Sequence, residues 1–145
     1  MGYNANPVDA YRQTRVKTAS QGQIIVMLYD EALKQIDAAV SGLEEKTRQL
    51  DRIHNAICKA QDIFTELMTS LDFDNGGDLA QNLFNLYMYF NNQLMEGNVK
   101  KDVSYLKQVR PLVQSLRDAW QEAAKNTGDA GGGGSEPRQG LNISG

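Results

Sequence analysis

The stretch from Leu50 to Leu71 limits the fold of this chain more than any other. Leu50, Ile53, Ile57, Ala60, Phe64, Leu67 and Leu71 follow one another at steps of three and four without a miss. That spacing stacks side chains on one face of an α-helix and on no face of a strand. A helix with one apolar stripe must bury it against partners, and the sequence supplies three. Upstream, Ser20 with Gln23 reads as a capping box. Val26, Tyr29, Leu33, Ile36, Val40 and Leu43 then repeat with helical spacing, and Ile25, Leu28, Ala32 and Ala39 widen the same face. Downstream, 72–77 (DFDNGG) reads as a turn, because Asn and Gly tolerate positive φ. Asp78 follows as the cap of a third helix whose Leu79, Leu83, Leu86, Phe90 and Leu94 face inward. Gly97-Asn98 reads as its left-handed stop. Asp102 caps a fourth helix carrying Val103, Leu106, Val109, Val113, Leu116, Trp120 and Ala123 on its buried side.

Pro111 interrupts that last pattern locally, since it donates no backbone hydrogen bond and its ring crowds the carbonyl of Lys107. The stripe stays in phase through it, which predicts one kinked helix rather than two. No stretch alternates with period two for long enough to suggest a sheet. Four helices of about 20 residues, each roughly 30 Å long, with short connections, predict an all-α, antiparallel up-down-up-down four-helix bundle over residues 20–125. Residues 1–19 form a separate arm, in which Pro7 pre-sets one helical turn through Val8 and Tyr11. Residues 126–145 hold seven of the 13 glycines and no helical period, the composition of a disordered tail. Within it, 131–135 (GGGGS) resembles a flexible linker.

The net charge of −3 offers no field to grip a phosphate backbone, so nucleic acid is not an expected partner. One cysteine and one histidine exclude an internal disulfide and leave too few ligands for zinc. A di-iron bundle site needs two Glu-x-x-His pairs, and 51–54 (DRIH) approximates only one. No metal, cofactor or enzymatic activity is expected. The N-terminus lacks an apolar signal region, which predicts a cytosolic chain. The uncharged run Leu79–Met95 carries six Asn and Gln residues, too polar and too short for stable membrane insertion.

His54 on a bundle helix could serve as a phosphotransfer nucleophile, but the Lys and Gly expected just after such a histidine are displaced or missing, and a boundary histidine is the better reading. Cys58 reads as a small packed residue. On the third helix, Phe84, Met88 and Met95 add a second apolar stripe, with Tyr87 and Tyr89 beside it. Together the stripes exceed the ~100° face that packing requires. Either they complete a thick core or they form a groove for a partner helix, and periodicity alone leaves both readings open.

The motif series favours the groove. Thr18-Ala19-Ser20 followed by 24–30 (IIVMLYD) resembles the TAS…LIVMLYDG opening of the flagellin-specific export chaperones, the FliS family. Lys59-Ala60, Ile63, Glu66-Leu67, Gly76-Gly77, Ala80, Asn82-Leu83, Leu86-Tyr87, Tyr89, Leu94, Asn98, Asp102 and Ala119-Trp120 continue the likeness in order. It spans about Tyr11 to Ala124. Glu31 and Gly97 stand where Gly and Ala are common, and the Gly-rich tail has no counterpart. The resemblance implies a cytoplasmic chaperone that binds the C-terminal segment of flagellin, prevents its premature polymerisation and helps deliver it to the flagellar export apparatus, with export-gate components as further partners. It also implies contacts from Ile24, Met27, Leu28, Asn82, Phe84, Tyr87, Met88 and Met95, and an N-terminal lid pinned by Val8 and Tyr11.

Overall fold

The computed structural model describes residues 21–129. The Ser20 cap, the arm with Val8 and Tyr11, and the 131–135 linker sequence lie outside the described residues. Four helices follow in order: α1 Gln21–Glu44, α2 Leu50–Thr69, α3 Phe73–Lys100 and α4 Val103–Asp129. Each of α1 and α3 packs between α2 and α4, closing a four-membered ring. The described residues are therefore the expected all-α bundle.

Cross-helix pairs fix the directions. On the α1–α4 seam, Asp30 binds Arg117, Asp37 binds Arg110 and Glu44 binds Lys107, so one helix climbs as the other descends. Between α2 and α3, Asn98 meets His54 while Asn91 meets Gln61, which is again antiparallel. Inside the ring the four apolar stripes converge. Tyr29, Tyr87, Phe64 and Phe90 are the largest side chains with essentially no exposure, and their rings pack at centroid distances of 5.0–6.5 Å.

Several local readings change. Leu50, the first member of the α2 stripe, is 50% exposed, because it opens α2 at an end of the bundle. The cap of α3 is Asp72 rather than Asp78: its carboxylate accepts from the Asn75 N–H at 3.1 Å and from Asn75 Nδ2 at 2.7 Å. Those bonds hold the Asp72 carboxyl below the usual carboxylate range and complete one helical turn before Gly77. Gly77, at φ 54° and ψ −127°, bends the chain into the main helix with a φ that disfavours any side chain.

The stop also moves. Gly97 is buried within α3, and the left-handed residue is Lys101, at φ 51° and ψ 45°. The Asp102 N–H then donates to the Gly97 carbonyl at 3.1 Å, closing a Schellman-type end. Asp102 caps α4 as expected, accepting from the Ser104 N–H at 2.9 Å and its hydroxyl at 2.8 Å. The helix runs unbroken past Pro111 and carries on through Asn126 to Asp129.

Candidate partner-binding surface

The outer face of α3 holds the candidate surface. Asn91 turns toward α2: its backbone carbonyl accepts from Gln61 Nε2 at 3.1 Å, and its Nδ2 donates to Thr65 Oγ1 at 3.2 Å. Its side-chain oxygen is buried with no hydrogen-bond partner. Met88 lies three residues before Asn91 and Met95 four after, so both flank it on the same side of the helix. They are 42% and 46% exposed, and Val99, four residues on, is 76% exposed. Phe84 begins the row. It is half-buried, with Phe73 packed edge-on at 5.9 Å. From Phe84 to Val99 the row runs about 22 Å along the axis.

The opposite flank of α3 faces α4. Gln93 Nε2 donates to Gln108 Oε1 at 2.9 Å, and Tyr89, one turn earlier, remains exposed on that side. Asn82 is exposed about two turns before Tyr89. The second stripe is thus two edges of one helix: Phe84, Met88, Met95 and Val99 beside α2, Asn82 and Tyr89 beside α4. Between Leu79 and Met95 both edges are free of charge, and α3 is tied to its neighbours there by neutral amides.

The other expected contact residues lie deeper. Tyr87 is 2% exposed, and Ile24 and Leu28 are each 3% exposed, while Met27 is half-buried. Tyr87 shares a 2.5 Å hydrogen bond with Tyr29 across the core. Sequence reasoning missed Val99 because it placed the end of α3 at Gly97; its spacing of four from Met95 was the available signal.

His54 and Cys58 form a separate cluster on α2. His54 is exposed, with Nδ1 2.8 Å from Asn98 Nδ2. Cys58, half-buried, packs beside the His54 ring, its Sγ 3.4 Å from Nε2 and 3.9 Å from Nδ1. Both ring nitrogens have neighbours, an arrangement unlike that of a free phosphate acceptor. Among the described residues no three His, Cys, Asp or Glu side chains gather to hold a metal, and no helix is long and apolar enough to cross a membrane.

By its fold the chain belongs to the class of four-helix bundle proteins, here with a row of large apolar side chains exposed along α3. Comparison with known proteins gives the family. The family described as "Flagellar protein FliS" matches residues 4–127, and the chain belongs to it. Flagellar secretion chaperone FliS of Bacillus subtilis (strain 168) is 33% identical over 121 residues, covering 83% of this chain and 88% of the relative. The protein of the same name from Escherichia coli (strain K12) is 32% identical over 126 residues, covering 83% and 91%. A crystal structure of a bacterial flagellar chaperone superposes with a TM-score of 0.67 at 24% identity, over 81% of this chain and 94% of that one; that likeness concerns the fold alone.

Proposed function

We propose that this chain is a cytosolic secretion chaperone that binds the C-terminal segment of flagellin, keeps it from polymerising and hands it to the flagellar export gate. Relatives named flagellar secretion chaperones support the role. The observation that carries the binding surface is the exposed row Met88, Met95 and Val99. An amphipathic helix that has not yet found its place in a filament exposes an apolar face, and a row of flexible Met side chains adapts to such a face. Phe84, Met27 and Asn82 extend the contact in this reading. Ile24, Leu28 and Tyr87 support it from beneath, holding the helices that present it. Val8 and Tyr11 act as the lid. Binding energy is sufficient for the task, and release follows from mass action at the export machinery.

Met88→Glu tests the surface. It should weaken binding of a flagellin C-terminal fragment about tenfold or more while the helix signal in circular dichroism and the melting temperature hold. Unchanged affinity would remove Met88 from the surface, and loss of the helix signal would return it to the core. The lid has its own test. Tyr11→Ala should tighten binding by the factor that lid closure had imposed; weaker binding with intact helix content would make Tyr11 a direct contact.

A further inference from the structure

We propose that the exposed row on α3 is also where two copies of this chain pair, antiparallel and across a two-fold axis, and that this pairing covers the row at rest. The positions carry the inference. Phe84, Met88, Met95 and Val99 stand at steps of four, seven and four, so the row reads the same from either end, about a point between Asn91 and Asn92. A two-fold axis through that point sets Phe84 level with the second copy's Val99, and Met88 level with its Met95. At 100° per residue the row occupies about 60° of the helix circumference, with Phe84 on one margin and Val99 on the other. Each end layer then places a large ring beside a small side chain, and each inner layer places two flexible thioethers together. Met88, Met95 and Val99 are 42%, 46% and 76% exposed, so pairing takes apolar surface out of water.

Charge selects the same direction. α3 carries Asp74 in its first turn and Lys100 in its last, with Asp78 a turn after the one and Lys101 next to the other, and no charge between Leu79 and Met95. Antiparallel copies bring the acidic start of one α3 toward the basic end of the other, and place each helix N-terminus by a C-terminus. Parallel copies would set like charges level. The area sets the strength. A strip about 22 Å long and roughly 11 Å wide falls well below the roughly 800 Å² per partner of a standard interface. The pair is therefore weak, exchanging and open to displacement. The single turn read from Pro7 through Tyr11 would span only about 5 Å of the row, which leaves most of it for a second copy. Displacement by flagellin rests on the function proposed above; the pairing itself does not.

Sedimentation of the full chain tests the pairing. The average mass should rise from 16.1 kDa toward twice that value between about 10 µM and 1 mM chain. A mass that stays at one chain throughout overturns the proposal. Met88→Glu and Met95→Lys should each weaken association about tenfold or more, with the helix signal in circular dichroism unchanged. Mixed in equal amounts, the two variants should associate again, because only the antiparallel register sets the new carboxylate beside the new ammonium. No recovery on mixing overturns that register, and association untouched by either substitution overturns the surface. Amide shifts of the wild type need no variant: on concentration they should move along 84–99 and hold still along the middle of α1, and the reverse pattern overturns the proposal. A flagellin C-terminal fragment should return the assembly to one chain with one fragment. Two chains retained around bound fragment would overturn the displacement, whereas a fragment that fails to bind would overturn the function and leave the pairing standing.

Discussion

Tyr29 and Tyr87 place two hydroxyls in the middle of a largely apolar core, and their mutual bond, with a further bond from Trp120 to Tyr29, makes that tolerable. Burial, reinforced by the neighbouring Tyr87, pushes Tyr29 well above its ordinary 10.0. Burial likewise pushes Tyr87 up to about 12, against a smaller opposing effect of its bond to Tyr29. The unfolded chain ionises both near 10, while the folded chain holds its protons longer. The stability they contribute is thus complete below pH 10 and is lost as pH rises from there through the folded values. Alkaline unfolding followed by circular dichroism should steepen above pH 10, and the Tyr29→Phe/Tyr87→Phe double variant should show a weaker dependence. At neutral pH, Tyr29→Phe should cost about 1–3 kcal/mol by stranding the Tyr87 hydroxyl, and Tyr87→Phe should cost less, because Trp120 still bonds the Tyr29 hydroxyl. The second removal should cost less than the first. Additive losses in urea titrations would show that the two hydroxyls do not depend on each other.

At the scale of the helices, the α3–α4 junction rests on a missing side chain. A Cβ on Gly97 would sit 2.4 Å from Leu106 Cδ1, 3.2 Å from Tyr105 Cβ and 3.3 Å from the Asp102 carbonyl oxygen. Leu106 is fully buried, so it has little room to retreat. Gly97→Ala gains up to about 1 kcal/mol of helix propensity but forces an overpacked contact costing roughly 1–3 kcal/mol. A net loss of stability is expected, relieved in part when Leu106→Val is added. A cycle of urea unfolding curves with no coupling between the two sites would contradict this. The α1–α4 seam works differently. Asp30, Asp37 and Glu44 recur every seven residues, and Arg110 grips Asp37 with Nε at 2.8 Å and Nη2 at 3.0 Å. These pairs are half-exposed, so each contributes only about 0.2–1 kcal/mol. Asp30→Asn with Asp37→Asn should lower stability modestly at low salt and hardly at all in molar salt. A salt-independent loss would mean that packing, rather than charge, was disturbed.

For the molecule as a whole, the ring of helices is held unevenly. Ion pairs lace α1 to α4, whereas α3 is joined to α2 and α4 largely by neutral amides around Asn91 and Gln93. The helix that displays the apolar row is also the one packed more sparingly against its neighbours. Hydrogen exchange should therefore run faster along the middle of α3 than along the middle of α1, because local opening draws on the least anchored element. Equal protection of the two would show that the seams are equally strong. Binding of a flagellin fragment should slow exchange in α3 most, which gives a readout of the surface independent of any substitution.

Much of this architecture is a property of the sequence taken alone. Helix number and the core members Ile53, Ile57, Ala60, Phe64 and Leu67 follow from a periodicity set by 3.6 residues per turn, and that is local information. The Asp102 cap is equally local, its partner being two residues away. Other features needed the neighbours in place. Gly97 carries the same signature as a helix stop or as a close-packing point, and only the approach of Leu106 decides between them. Whether a stripe residue is core or surface depends on which helix covers it: Tyr87 meets Tyr29, 58 positions away, while Met88 beside it meets solvent. His54 and Cys58 stand at an i, i+4 spacing that the sequence reading left unpaired, and the Asn98 amide that meets His54 comes from 44 positions away. Periodicity fixes which side chains share a face; tertiary packing decides what each face touches, because burial and hydrogen bonding are set by groups that the chain brings together from far apart.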